Sequence, residues 1–378
     1  MSTVRVAAVV TAVLALVAAE TPTAAPGARV VLPVRLDDST FWRMVTEFSE
    51  PGGYFRSDNF ISNEGELQYV IGDLQRSGAR GRAYVGVGPE QNLTYVAALD
   101  PGISFIVDIR RQNLVQHLVF KALMELSPDR ATYLSRLLSR PQPAGLDATT
   151  GVVPLMAAYS VVPGDTMIFR RTLEDVRTHL IDVNRFALTP EDLESMRYIL
   201  SAFGTAGTEI TYSFGQMGGP GRFGSWMPTL HEMMTETDDS GAHRSYLATE
   251  AAYRYLKDRQ ERNLIVPVVG DFGGGHALRA VANWLSSRQV TVGVFYASNV
   301  EQYLFQNGPA AGAFYENLAA FPTDSASTFV RSASNRGWVP MRNPRSRMAQ
   351  LTMRVEPMLA AIRGGRVTNY GELLTLVP

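Results

Sequence analysis

The stretch 82–111 decides how the chain is read: Arg-Ala-Tyr-Val-Gly-Val-Gly-Pro-Glu-Gln-Asn (82–92), Leu-Thr-Tyr-Val-Ala-Ala-Leu-Asp-Pro-Gly (93–102) and Ile-Ser-Phe-Ile-Val-Asp-Ile-Arg-Arg (103–111). Ala83–Val87 is a short apolar, β-branched run suited to a buried strand. Gly86 and Gly88 close it, and Asn92–Leu99 follows with helical spacing. Pro101 and Gly102 punctuate the end of that helix. Ile103–Ile109 is a second buried-type strand, with Asp108 near its C-terminus. Strand, glycine turn, helix, strand, acid is the opening half of a nucleotide-binding βαβ unit. Glycines let the backbone approach a ligand, and a helix N-terminus offers N–H groups. A carboxylate on the next strand can accept hydrogen bonds from both ribose hydroxyls. The third glycine of the dinucleotide pattern is absent, because Glu90 or Gln91 stands there. A glutamate repels a pyrophosphate, so the turn favours a ligand without phosphates over NAD or FAD. The competing reading is an ordinary α/β crossover with a glycine-rich turn.

The chain has 378 residues, enough for one large or two ordinary domains. It is 46% apolar and 19% charged, the composition of a globular protein. A formal net charge of −1 gives no electrostatic case for nucleic acid or an anionic membrane. With no cysteine, disulfides, thiolate metal sites and cysteine nucleophiles are excluded. At the N-terminus Arg5 precedes the apolar run Val6–Ala19, and a Thr/Pro/Ala linker follows from Thr21 to Gly27. The run is shorter than the roughly 20 residues of a membrane span. It reads as a signal peptide over 1–19, cleaved near Glu20, with a linker to residue 37. The mature chain is then exported, periplasmic or extracellular, with no stable span; an uncleaved anchor is the alternative.

Further along, Asp38 or Ser39 can cap a helix carrying Phe41, Met44, Val45 and Phe48. A turn-rich loop (Ser49–Asn59) has the aromatic and charged mix of a site-lining loop. Asn63 is expected to cap a helix through Leu67, Val70, Ile71 and Leu74, stopped by Gly78. Helices are expected over Asn113–Leu126, from Ser127-Pro128-Asp129 onward, and from Thr189-Pro190-Glu191-Asp192 onward. A helical insertion is placed at about 141–243, inside one α/β domain from residue 38 to 378. It ends in Gly215–Gly224, a lid or a connector. Arg244–Arg262 reads as helix. The α/β rhythm then returns: a strand at Leu264–Val269, the turn Gly270-Asp271-Phe272-Gly273-Gly274-Gly275, a helix at His276–Ser287 and a strand at Val290–Tyr296. This repeats the first unit, so Asp108, Asp271 and Ser298-Asn299 are expected to face one crevice beyond the strand ends. Met348, Leu351, Val355, Leu359 and Ile362 have the spacing of a covering helix.

The five histidines show no metal-ligand spacing. There is neither a Gly-x-Ser-x-Gly elbow nor a Walker-type loop. Four segments carry a resemblance: Phe48–Gly53, Val85–Asn92, Val107–Asn113 and Phe295–Tyr303. Together they resemble a bacterial family described as S-adenosylmethionine methyltransferase-like, over most of the chain after residue 38. The resemblance implies a Rossmann-like, mostly parallel sheet flanked by helices, with S-adenosylmethionine as cofactor. By comparison with ordinary methyltransferases, Gly86 and Gly88 match the adenosylmethionine turn and Asp108 the ribose acid. Tyr84 departs from the pattern where an acid usually precedes the turn, as Glu90 does at the third glycine. The expected cofactor residues are thus Gly86, Gly88, Glu90, Asn92 and Asp108. Asp271, Tyr296 and Glu301 are the candidates to orient or deprotonate a small methyl acceptor. The expected partner is a small molecule. The alternative is an exported binding protein that kept the fold without the chemistry; a carboxylate hydrolase ranks last.

Overall fold

The computed structural model describes residues 32–213, 227–334 and 348–376. The apolar run at 6–19, the cleavage point near Glu20, most of the linker and the glycine-rich stretch 215–224 lie outside those residues. Among the described residues no helix is long and apolar enough to cross a membrane.

The architecture is α/β. Strands β1 (Ala83–Gly86), β2 (Ile103–Asp108), β3 (Ile265–Val269), β4 (Val292–Tyr296), β5 (Thr328–Ser334) and β6 (Met348–Arg354) form one sheet. Its order is β3-β2-β1-β4-β5-β6. The first five strands run parallel, and β6 returns antiparallel along all seven residues of β5. Every residue of β1 to β4 is buried. Burial on both faces is why these strands read as continuous apolar runs, without alternation. Helices flank the sheet: α1 (Asp38–Glu47), α4 (Arg111–Glu125) and α11 (Ala277–Ser287) all pack on β2 or β3. The helix α4 is buried from Asn113 to Met124, since α8 (Pro190–Ala206) and α10 (Glu250–Glu261) close over it. Truncating its Leu118, fully buried, to alanine would cost about 2–5 kcal/mol.

Capping chemistry sets the helix starts. Thr189 and Asp192 form a reciprocal capping box at α8, with Pro190 at the first position. Asp129 accepts from the Thr132 amide at 2.7 Å to begin α5 (Arg130–Leu137). The cap of α1 is Asp37, one residue before the expected pair, accepting from Thr40 N at 2.8 Å. Between β2 and β3 the interval 141–243 contributes α6 (Val152–Ser160), α7 (Thr166–Thr178) with a π-helical turn at His179–Val183, α8, and α9 (Leu230–Thr235).

Three expectations are corrected. Met348–Arg354 is a strand, and the covering helix is only α14 (Val355–Arg363). Local spacing allowed either form, and the ladder to β5 decides it. The long helix expected from Asn63 shrinks to α2 (Ile71–Arg76), because Glu66 takes φ 65°, which a right-handed helix excludes. The helix expected from Arg244 begins only at α10, where Thr249 accepts from Ala252 N at 3.1 Å.

Candidate functional site

In this sheet the chain leaves β1 toward β2 and β3 on one side, and β4 toward β5 on the other. Connections diverge there, which opens a crevice beyond the C-terminal strand ends. A cavity of about 270 Å³ occupies it. That is just under the roughly 300–1,000 Å³ of typical small-molecule sites. Its floor and walls are the strand exits: Val87–Pro89 after β1, Asp108–Arg110 at β2, Gly270–Phe272 after β3 and Ser298–Val300 after β4. Residues of the loop 54–63, Gln91, Tyr212 and Tyr303 also line it.

The loop that covers this mouth is pinned at its base. The Glu50 carboxylate accepts from the amides of Ala277 (2.7 Å), His276 (2.9 Å) and Asp271 (3.3 Å), at the N-terminus of α11. Gly53 N donates to the Ile109 carbonyl at 2.8 Å. A Cβ at Gly53 would stand 2.6 Å from Ile109 Cγ1, so a glycine is required there.

Of the eight residues expected at the site, Gly88, Asp108 and Asp271 border the cavity. Gly88 has φ 85°, the left-handed conformation that favours glycine, and this turns its backbone toward the opening. Asp108 and Arg110 form a buried bidentate ion pair. Arg110 Nε donates to Oδ1 at 3.0 Å and Nη2 to Oδ2 at 2.8 Å, while the Arg110 amide adds a bond at 2.9 Å. The carboxylate expected to await ribose hydroxyls therefore already has donors. Asp271 is exposed and accepts from Gly273 N at 2.9 Å.

The other five stand behind the lining, each for a packing reason. A Cβ on Gly86 would lie 2.0 Å from Asn92 Oδ1 and 2.7 Å from the Tyr84 hydroxyl, so that glycine serves the protein's own helix α3 (Gln91–Leu99). Asn92 is fully buried; its Nδ2 donates to the carbonyls of Val87, Gly88 and Pro89 at 2.8–3.0 Å and its Oδ1 accepts from Tyr84. It holds the turn rigid from behind. Glu90 is buried, and desolvation pushes its carboxyl up to about 8, with the Ser62 amide donating to it at 3.2 Å. It is neutral at pH 7, so the expected charge repulsion against a pyrophosphate is corrected. What remains is that the Glu90 carboxyl is turned to the Ser62 amide and makes no side-chain cap at the start of α3. Tyr296 is buried; burial and the nearby Glu64 push its hydroxyl up, and it donates to Glu64 while accepting from Gln91 Nε2 at 3.3 Å. Glu301 accepts from Arg331 Nε and the Tyr315 hydroxyl, both at 2.7 Å, far inside the core. Tyr296 and Glu301 are thus structural partners, not groups facing a reactant.

Several residues at the site escaped sequence reasoning. His117 holds the Gly88 carbonyl at 2.9 Å from the underside; burial lowers its pKa to about 4, so it is neutral and Nε2–H donates. Gln91 and Asn59 both border the cavity, and each keeps a buried side-chain carbonyl oxygen without a partner. Gln91 had a signal, since it follows the glycine turn as the first residue of α3. Glu64 had none: it gathers Tyr296, Ser298 and Gln350 from 232, 234 and 286 residues away. Among the described residues no cluster of three His, Asp or Glu is placed to hold a metal ion.

Comparison with curated proteins gives no match. A family model described as "Domain of unknown function (DUF7790)" matches residues 59–153 and 190–360, which include all four strand exits around the cavity. The interval between the two matched segments holds most of α6, all of α7 and its π-helical turn. The match covers more than two thirds of the sequence, and the chain belongs to the DUF7790 family.

Proposed function

We propose that the cleft binds S-adenosylmethionine or a related adenosyl compound, on a Rossmann-like framework. The strand order matches that of the doubly wound nucleotide-binding folds, and the cavity lies at their usual binding position. The observation that carries the ligand class is the lining itself. Among the described residues it has two carboxylates, Asp108 and Asp271, and one guanidinium, Arg110, already paired with Asp108. The unpartnered oxygens of Gln91 and Asn59 add acceptors. A buried acceptor left unmet costs about 1–3 kcal/mol, which a donor reaching into the wall would relieve. Such a lining suits a ligand rich in donors and poor in phosphate. The adenosyl group, with a ribose diol and an amino base, fits that description.

Methyl transfer to a small acceptor is the further step of this reading. It works chiefly by aligning the acceptor with the sulfonium methyl, and Asp271 is the candidate left to take the acceptor's proton. The engagement of Tyr296 and Glu301 in buried networks favours a second reading, binding without chemistry. Calorimetry against adenosylmethionine, adenosylhomocysteine and NAD tests the ligand class. Binding of an adenosyl compound without NAD is expected; tighter NAD binding would reverse it.

A further inference from the structure

We infer that the cleft selects an onium cation, a sulfonium or a quaternary ammonium, using aromatic faces and the Asp271 carboxylate. This rests on the same cleft as the adenosyl reading and names the charge state of its ligand, but the two can fail separately.

Among the described residues five aromatic side chains border the cavity, and of these Phe272 is spent on the core, stacked on Phe314 at 5.2 Å, which leaves Tyr54, Phe55, Tyr212 and Tyr303. Phe55 and Tyr303 meet at 5.2 Å and 86°, forming a corner of two perpendicular rings. Tyr54 is 86% exposed, a large ring held at the mouth with little of its surface covered by protein. Ring faces carry negative electrostatic potential and attract weakly hydrated cations, and cages of this type recognise quaternary ammonium groups.

The charges point the same way. Asp108 and Arg110 cancel each other, and Arg110 Nη1 also donates to the carbonyls of Ser57 and Asp58. Asp271 has no ion-pair partner among the described residues, so it leaves the lining with one net negative charge. Among the described residues no lysine and no histidine borders the cavity to offset it. An onium group needs no hydrogen-bond acceptor, only ring faces and a carboxylate within Coulombic reach. The cleft sets the Asp271 carboxylate, at the exit of β3, on the same lining as the rings of Tyr54, Phe55, Tyr212 and Tyr303.

Two ligand sources share this chemistry, and cation–neutral ligand pairs, the choline pair being isosteric, separate them. Adenosylmethionine is compared with adenosylhomocysteine, and choline with its neutral carbon isostere 3,3-dimethylbutanol, by titration calorimetry. Within the pair that binds, the cation should be tighter by about tenfold or more. Asp271→Asn keeps an oxygen for Gly273 N and should cut that ratio to about threefold, leaving the neutral ligand unchanged. Tyr303→Leu should act in the same direction, and Tyr303→Phe should restore the ratio. Equal affinities of a cation and its neutral partner overturn the onium inference while leaving adenosyl binding intact. Choline binding with neither adenosyl compound keeps the inference and removes the adenosyl reading. Failure of both cations to bind overturns the inference.

Discussion

Two glycine turns in this protein share one sequence plan, strand then glycines then helix, and end in opposite states. The first, Gly86–Gln91, lies between β1 and α3; the second, Gly270–Gly275, lies between β3 and α11. In the first, Glu90 makes no side-chain cap at the helix start and its carboxyl accepts from the Ser62 amide instead, Asn92 locks three carbonyls from behind, and Gly88 borders a cavity. In the second, a carboxylate from more than 220 residues away, Glu50, sits on the helix N-terminus. Asn317 fixes the turn by donating to the carbonyls of Phe272 and Gly274, so that of this turn only Gly270–Phe272 border the cavity. A helix N-terminus attracts anions through its unpaired amides and its dipole. Here the chain itself supplies the anion. A glycine turn before a helix therefore says only that something will be received there. A distant segment decides whether that is a ligand or a side chain.

The largest expected effect comes from the first turn's neighbour. Asp108→Asn leaves Arg110 buried without its counter-charge, which should cost about 3–5 kcal/mol of unfolding free energy in urea denaturation. A loss under 0.5 kcal/mol, with ligand affinity reduced, would return Asp108 to the ribose role. Next, Glu50→Ala should destabilise the second turn by about 2 kcal/mol, and Glu50→Gln by roughly half of that. Sulfate should restore part of the alanine variant's melting temperature by occupying the vacated helix start. If sulfate stabilises wild type and variant equally, the second turn is not an anion site filled in cis.

Glu90 gives a pH-dependent test of the first turn. Its carboxyl is near 4.5 in the unfolded chain and about 8 when folded. Between those values the folded state holds a proton that the unfolded state has released, so this group's contribution falls as pH rises. Glu236, raised to about 7 by burial, acts with the same sign. His117, lowered to about 4, acts oppositely between pH 4 and 6.5 and is silent above that range. Comparing Glu90→Gln with wild type isolates Glu90. The variant should gain on wild type by about 1 kcal/mol between pH 6.5 and 7.5, near the limit of 1.4 per unit. A difference flat across that interval would mean that Glu90 is ionised and charged beside the turn. The smallest stability effect belongs to Tyr54→Ala. With the ring 86% exposed, the apo melting temperature should not move, while affinity for the bound cation drops severalfold. A shifted apo melting temperature would make Tyr54 part of the packed wall.

The strands β1 to β4 and helices α3 and α11 were legible because each is an uninterrupted apolar or periodic run. Strand β5 was not, since Arg331 stands in its middle; only its partner Glu301, 30 residues earlier, makes that burial tolerable. Strand β6 failed for the complementary reason, because Met348, Leu351 and Val355 fit a helical period until a neighbour supplies the ladder. At the site, sequence located the strand exits and therefore Gly88, Asp108 and Asp271. It could not rank acids by what they touch. Asp108, Glu90 and Glu301 look alike on paper, yet one is ion-paired at the cavity edge, one is neutral and one lies deep in the core. Those distinctions arise from contacts far apart in sequence, which no local pattern encodes.

The clasp of Glu50 on α11 has a kinetic corollary. The amides of His276 and Ala277 are shielded only while the segment bearing Glu50 stays docked. Their hydrogen exchange is then set by how often that segment lifts, not by fraying of the helix interior. Two backbone protons thus serve as a built-in clock for opening at the cleft, readable in the native protein without a ligand or a label.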